Sequence, residues 1–137
     1  MDLSKLEETA AATFDLVVAK GSETQAPIGF RVVGPFSDQY DVVTRRQQIR
    51  NIAIQRKLTV NGQPVSDDEH VERIAELTRQ HAEDVATTCT VGWFGFEIAG
   101  AEAEFTPENL ARVLKARRPW VELIANAVNT EANFLKA

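Results

Sequence analysis

The sequence predicts a helix-rich α+β fold in a single domain, and three observations carry the prediction. A chain of 137 residues suits one domain with one core. Apolar residues recur at helical spacing in two long central segments and again near the C-terminus. Short runs of β-branched and aromatic residues lie within 14–33 and 91–105. We therefore expect four principal helices, with short β-hairpins near the N-terminus and before the last two helices.

The N-terminal hairpin is predicted from two apolar runs, 14–19 and 29–33, that flank a polar stretch containing Gly21 and Pro27. Gly34-Pro35 should end the second strand, because proline cannot donate a hydrogen bond to a neighbouring strand. Residues 1–12 before the hairpin are expected to be either flexible or a short helix.

Ser37 or Asp38 is placed to cap a helix over 38–57. Its apolar residues fall near one face at helical spacing: Val42, Ile49, Ile52 and Ala53. Residues 59–64 follow and contain Asn61-Gly62 and a proline, a composition typical of a loop.

The next helix has the best marked start, since Ser66-Asp67-Asp68-Glu69 matches a capping box. We expect it to end near Thr88. A long apolar stripe runs along it and should face a core or a partner helix. The stripe consists of Val71, Ile74, Ala75, Thr78, Ala82, Val85 and Cys89.

The C-terminal part begins with a predicted hairpin over 91–105 that turns about Ala99-Gly100. Thr106 followed by Pro107 predicts a helix start, because the hydroxyl caps and proline lacks only an amide that has no partner there. Pro119 should begin a last helix whose apolar residues continue to Leu135.

Composition excludes several classes of protein. A net charge of -5 and a pI near 5.1 disfavour non-specific binding to nucleic-acid phosphates. No run approaches the roughly 18 apolar residues of a membrane span. The acidic N-terminal residues do not form a secretory signal, so we expect a cytoplasmic location. The single cysteine, Cys89, rules out an internal disulfide and a cysteine-rich metal site.

We find no catalytic or cofactor-binding pattern in the sequence and expect a non-enzyme without cofactor or metal. His70 and His81 lie among acidic residues, but no second cluster completes a metal site, so a solvated helix face is the preferred interpretation. Cys89 ends an apolar stripe and is interpreted as a core residue. The glycines form neither a phosphate loop nor a dinucleotide fingerprint.

Two surfaces are candidates for binding other molecules. The first is a charged docking face on the 38–57 helix, which is alternatively a phosphate-tracking face or merely solvated. It consists of Arg45, Arg46, Arg50 and Arg56. The second is an apolar partner-binding stripe on the last helix. It consists of Trp120, Leu123, Val128 and Leu135. Trp93 is expected in the core, whereas Trp120 is left open between core and interface.

One ordered set of residues spans 91–134 and connects the chain to a known family. The set is Gly92-Trp93, Phe96, Gly100, Phe105-Thr106-Pro107-Glu108-Asn109, Leu114, Pro119-Trp120, Ile124 and Asn133-Phe134. This order resembles tail assembly chaperones of tailed bacteriophages and prophages. In that family a tryptophan-centred strand and a glycine turn precede a capped helix and then a proline-led helix. The stretch 29–40 is similar to the start of such proteins.

The resemblance implies a viral tail assembly protein that binds the tape-measure protein and tail-tube subunits in the host bacterial cytoplasm. Family members keep the tape-measure protein soluble and leave before the particle is finished. The family supplies no catalytic residues, and self-association is expected of it. Two alternatives are a structural virion protein of the tail or neck, and a small nucleic-acid-binding regulator that uses the basic face from Arg45 to Lys57.

Overall fold

The computed structural model describes residues 2–57, 59–60, 63–64 and 67–135. Within them, small antiparallel sheets and five α-helices make up a helix-rich α+β fold, which confirms the predicted class. The elements in chain order are α1 Leu3–Ala11, β1 Thr13–Ala19, β2 Ile28–Val33, α2 Asp38–Lys57, β3 Thr59–Val60, β4 Gln63–Pro64, α3 Asp67–Cys89, β5 Thr90–Phe94, β6 Glu97–Ile98, β7 Ala101–Glu102, α4 Pro107–Ala116 and α5 Pro119–Asn129, followed by a 3-10 turn, Glu131–Asn133.

The main sheet has three antiparallel strands in the order β1-β2-β5. Its first two strands are the predicted N-terminal hairpin, in register with Leu16 opposite Phe30, and a bulge lies between Val17 and Ala19. One face of the sheet is apolar. On the other face Arg31 and Asp15 form an ion pair at 3.0 Å. This alternation is typical of an antiparallel sheet that covers a core on one side only.

The second predicted hairpin is partly wrong. Only the short strands β6 and β7 form it, around Ala99 and Gly100, which both have positive φ angles of 53° and 82°. Two positive φ values suit a tight hairpin turn. Trp93 belongs instead to β5, which pairs with β2 and places Trp93 opposite Phe30. Pairing with β2 brings the two aromatic side chains together on the core side, a gain that a local hairpin does not offer.

The central helices follow the prediction closely. α2 occupies the expected residues, and Ser37 caps it by accepting a hydrogen bond from the amide of Tyr40. α3 ends at Cys89, one residue beyond the expected end, while Ser66 of the capping box lies outside the described residues. The segment 59–64 was predicted to be a loop, but it contains the two-residue strands β3 and β4, which pair antiparallel; Asn61 and Gly62 lie outside the described residues.

The C-terminal helices begin at the predicted prolines. Thr106 accepts a hydrogen bond from the amide of Asn109, as a helix cap does. The last helix is shorter than predicted, because α5 ends at Asn129 and a 3-10 turn follows. Leu135 therefore lies beyond the helix. α1 settles the open question about the N-terminus in favour of a short helix.

Phe134, near the C-terminus, packs against Gly34 and against Phe14 of β1. Phe134 is 2% exposed, and its ring meets Phe14 edge to face with centroids 6.3 Å apart. A Cβ atom at Gly34 would lie 2.3 Å from the Phe134 ring, so only glycine permits this contact without movement. Nδ2 of Asn133 donates to the carbonyl oxygen of Ala127 and holds the tail against α5.

The core lies between the apolar face of the sheet and the helices; α2 contributes its N-terminal part to it, α3 its C-terminal part, and α4 and α5 one side each. Its fully buried large side chains are Phe30, Val32, Val43, Val85, Cys89, Leu110, Ile124, Val128 and Phe134. An aromatic group adjoins them, in which Trp120 contacts Phe30 and Phe96 with ring centroids 5.9 and 6.2 Å apart. Nε1 of Trp93 donates to the carbonyl oxygen of Ala103. Both tryptophans thus pack against the core, as expected for Trp93.

Candidate functional site

The longest part of the chain outside the core is a pair of antiparallel helical segments, residues 46–57 of α2 and 68–80 of α3, here called the helical arm. α2 enters the core at Val43, and α3 enters it at Val85. No described side chain of the arm is buried. At 1.5 Å per residue the α2 segment is about 18 Å long. The arm therefore presents most of its surface to solvent.

Large aliphatic side chains are exposed on both helices of the arm. Ile49 is 68% exposed and Ile52 54%, and a spacing of three puts them on one side of α2. Val71 and Ile74 have the same spacing on α3 and are 65% and 47% exposed. We call these four residues the arm strips. The i and i+3 spacing of each pair is the spacing at which helix-binding surfaces contact an apolar helix.

The arm strips correct the expected role of the apolar stripes. The α3 stripe was expected to face a core or a partner helix; its C-terminal part, with Val85 and Cys89, is buried in the core, whereas Val71 and Ile74 are exposed. On α2 the predicted face is exposed, while Val43 on another side of the helix enters the core. Periodicity identifies a side of a helix, but it does not indicate how far the core extends along it.

Asp84 joins the two helices at the base of the arm. Its carboxylate accepts hydrogen bonds from Nη1 of Arg46 at 2.7 Å, from Nη2 of Arg50 at 3.3 Å and from the hydroxyl of Thr88 at 3.1 Å. The Asp84 side chain is only 13% exposed. Charged hydrogen bonds in a partly dehydrated setting fix the helices relative to each other more firmly than surface ion pairs do.

His81 lies beside this cluster and is half-buried, contrary to the expected solvated position, whereas His70 is exposed as predicted. Burial, and then the positive charge of Arg50, lowers the pKa of His81, although Asp84 acts in the opposite direction. Nδ1 of His81 and Nε of Arg50 are buried and have no hydrogen-bond partner among the described residues. His81 is thus neutral at pH 7 and adds no charge to the Asp84 cluster.

The predicted charged docking face is divided by these contacts. Arg46 and Arg50 turn towards α3 and bind Asp84. Arg45 is exposed and pairs with Asp41 at 3.1 Å, and Arg56 is exposed further along the arm. The four arginines therefore do not form one continuous unpaired surface, and two of them have a structural role.

The predicted apolar partner-binding stripe is also divided. Val128 is fully buried, so it was wrongly assigned to a surface. Val128 belongs to the core cluster, and Trp120 is half-buried against the aromatic group. Leu123 and Leu135 are exposed, at 46% and 53%, but Leu135 lies beyond the helix and does not continue its stripe. Only Leu123 remains as a helical surface residue of this set.

Cys89 is buried, as predicted for a core residue. Burial, and then the charge of Asp84, raises the pKa of its thiol to about 12 from an ordinary value of 9.0. The thiol is therefore protonated and not nucleophilic at neutral pH. No group of three or more histidine, cysteine or acidic side chains suited to a metal ion occurs in the described part of the chain.

The high thiol pKa predicts a pH dependence of stability. Because the unfolded chain releases this proton near pH 9 and the folded chain near pH 12, the free energy of unfolding should fall as the pH rises between these values. Urea unfolding at pH 8 and pH 10.5 measures the fall. Cys89→Ala should show a smaller fall than the wild-type chain. An equal fall in the two proteins would show that the Cys89 thiol is not the group responsible.

Among the described residues, no helix combines the length and apolar character needed to cross a bilayer. Comparisons of the chain with protein-family models, curated proteins and solved structures found no match.

Proposed function

We propose that the chain is a non-catalytic tail assembly chaperone of a tailed phage or prophage, which binds the tape-measure protein and tail-tube subunits in the host bacterial cytoplasm. The observation that carries the proposal is the helical arm, whose four large aliphatic side chains are exposed outside the core. Large aliphatic side chains that stay exposed on helices outside the core suit a binding surface. The ordered residues of segment 91–134 supply the family resemblance.

The arm suits a long helical client for a physical reason. A tape-measure protein exposes apolar helix faces before the tail tube encloses it, and these faces aggregate in water unless they are covered. Ile49 and Ile52 on α2, like Val71 and Ile74 on α3, offer side chains at helical spacing for such a face. The four side chains of the strips are purely aliphatic, so release of the client does not require breaking hydrogen bonds to them.

The regulator alternative has less support. A phosphate-binding face needs several unpaired cations on one side. Arg46 and Arg50 are occupied by Asp84, and Arg45 is paired with Asp41.

Co-expression with a tape-measure fragment tests the proposal. The wild-type chain should bring the fragment into the soluble fraction. I49E/I52E should lower the amount of soluble fragment roughly tenfold or more. The substitutions place charges where the client would otherwise bury two aliphatic side chains.

Q48E/Q55E is the matched control. It adds the same charge at exposed positions of the same helix but leaves the strips unchanged. This variant should solubilise the fragment as the wild type does, and circular dichroism should show equal helicity in all three proteins. If the wild-type chain left the fragment insoluble, the chaperone proposal would fail. If the two variants solubilised the fragment equally well, the helical arm would not be the client-binding surface.

A further inference from the structure

Strand β1 forms an open edge of the main sheet. Within the described residues it is hydrogen-bonded to β2 alone, so alternate amide and carbonyl groups of Thr13–Ala19 point away from the sheet. Proteins commonly protect such an edge with proline, lysine or a short strand. This strand has seven residues and no proline, and its one charged side chain, Asp15, pairs with Arg31 at 3.0 Å. Its bulge lies between Val17 and Ala19, so residues 13–17 form the regular part of the edge. The edge is therefore ready to pair with another strand.

The helix before this strand, α1, lies outside the core. α1 has no buried residue, and Leu3 and Leu6 are 72% and 49% exposed on the same side. Only Ala12 separates α1 from β1. Val17, at 48%, is a further exposed aliphatic side chain and lies on the outer sheet face of β1. Exposed apolar side chains thus lie on β1 and on the helix that directly precedes it.

The sequence of β1 is complementary to itself in one antiparallel register. With Leu16 on a two-fold axis perpendicular to the sheet, Phe14 lies opposite Val18 on the core side and Asp15 lies opposite Val17 on the outer side. A register centred on Asp15 would place two carboxylates directly opposite each other, which is destabilising. A register centred on Val17 would place Phe14 opposite Lys20. Of the three registers centred on Asp15, Leu16 and Val17 in the middle of the strand, the Leu16 register avoids both conflicts.

We propose that a second copy of this chain pairs with β1 in the Leu16 register, which joins two three-stranded sheets into one of six strands. The interface uses no residue of the helical arm, so it stands independently of the proposed client binding.

A charge substitution at Val17 tests both the dimer and its register. Val17→Asp places a carboxylate opposite Asp15 of the second copy at two symmetric positions, which should raise the dissociation constant of the dimer roughly tenfold or more. Val17→Lys is the matched control, because a lysine opposite Asp15 is compatible with the pairing and should preserve the dimer. Sedimentation equilibrium measures both constants, and thermal unfolding verifies that each variant is folded.

A rescue and a cross-link complete the experiment. D15N/V17D removes the opposed carboxylates and should restore the wild-type dissociation constant. Mixed samples of Asp15→Cys and Val17→Cys should form an intermolecular disulfide faster than either variant alone, since only the mixed pair lies directly opposite. A wild-type chain that stays monomeric, an unaffected Val17→Asp dimer, or failure of the mixed cross-link in a dimeric sample would each overturn the proposal.

Discussion

Replacing Phe134 by alanine is expected to lower the free energy of unfolding by about 4 kcal/mol, the usual cost of deleting a buried aromatic ring. Phe134 is 2% exposed although it lies in a short tail after the last helix, and it contacts the Phe14 ring. Without the ring, the 3-10 turn loses its attachment to the sheet. Urea unfolding followed by circular dichroism measures the change.

Gly34→Ala should cost about 1–3 kcal/mol, because the new methyl group would approach the Phe134 ring to 2.3 Å. The double variant provides the control. Once Phe134 is alanine, the ring that clashes is gone, so G34A/F134A should be nearly as stable as Phe134→Ala alone. The two single effects should therefore fail to add by at least about 1 kcal/mol. Additive effects would show that Gly34 is required for another reason.

Asp84→Ala should lower the free energy of unfolding by about 2–3 kcal/mol, because it removes a carboxylate shared by two arginines and leaves a partly buried guanidinium without it. The Asp84 side chain is 13% exposed and that of Arg50 27%. The expected loss is below that of a fully buried pair, since water still reaches Arg46. Thermal and urea unfolding measure it.

Asp41→Ala is the matched control for this prediction. Asp41 pairs with Arg45 on the same helix at 3.1 Å, but both side chains are largely exposed. Its loss should cost less than about 0.5 kcal/mol. Equal destabilisation by the two substitutions would mean that the Asp84 cluster does not hold the base of the arm.

Local chemistry accounts for most of what could be predicted from the sequence. The caps at Ser37 and Thr106 and the prolines at 107 and 119 mark helix starts through hydrogen bonds within one turn, and all four lie where the structure has them. The N-terminal hairpin follows from two apolar runs that are close in sequence. Such signals require no knowledge of distant contacts.

The errors concern contacts between distant residues. Trp93 leaves the predicted hairpin because Phe30, far away in sequence, offers a better partner on β2. The last helix ends early, and Phe134 then reaches back to Gly34. Neither partner could be identified from local spacing, since strand order and tail docking depend on the complete core.

The candidate site shows the same division. The sequence placed Ile49 and Ile52 on one face of α2 and Val71 and Ile74 on one stripe of α3, but it did not indicate that these faces lie outside the core. A buried and an exposed apolar stripe have the same period. The stripe on the last helix was preferred as a surface, yet it contains Val128, which is fully buried.

A site-specific photo-cross-linker shows directly whether the client lies on the helical arm. The probe would replace Ile52 in one sample and Leu123 in another, since both are exposed aliphatic residues on helices and are 54% and 46% exposed. Each full-length protein would be illuminated with a soluble tape-measure fragment. We expect the fragment to be captured at position 52 and not at position 123. Capture at position 123 alone would contradict the account and return the binding surface to α5.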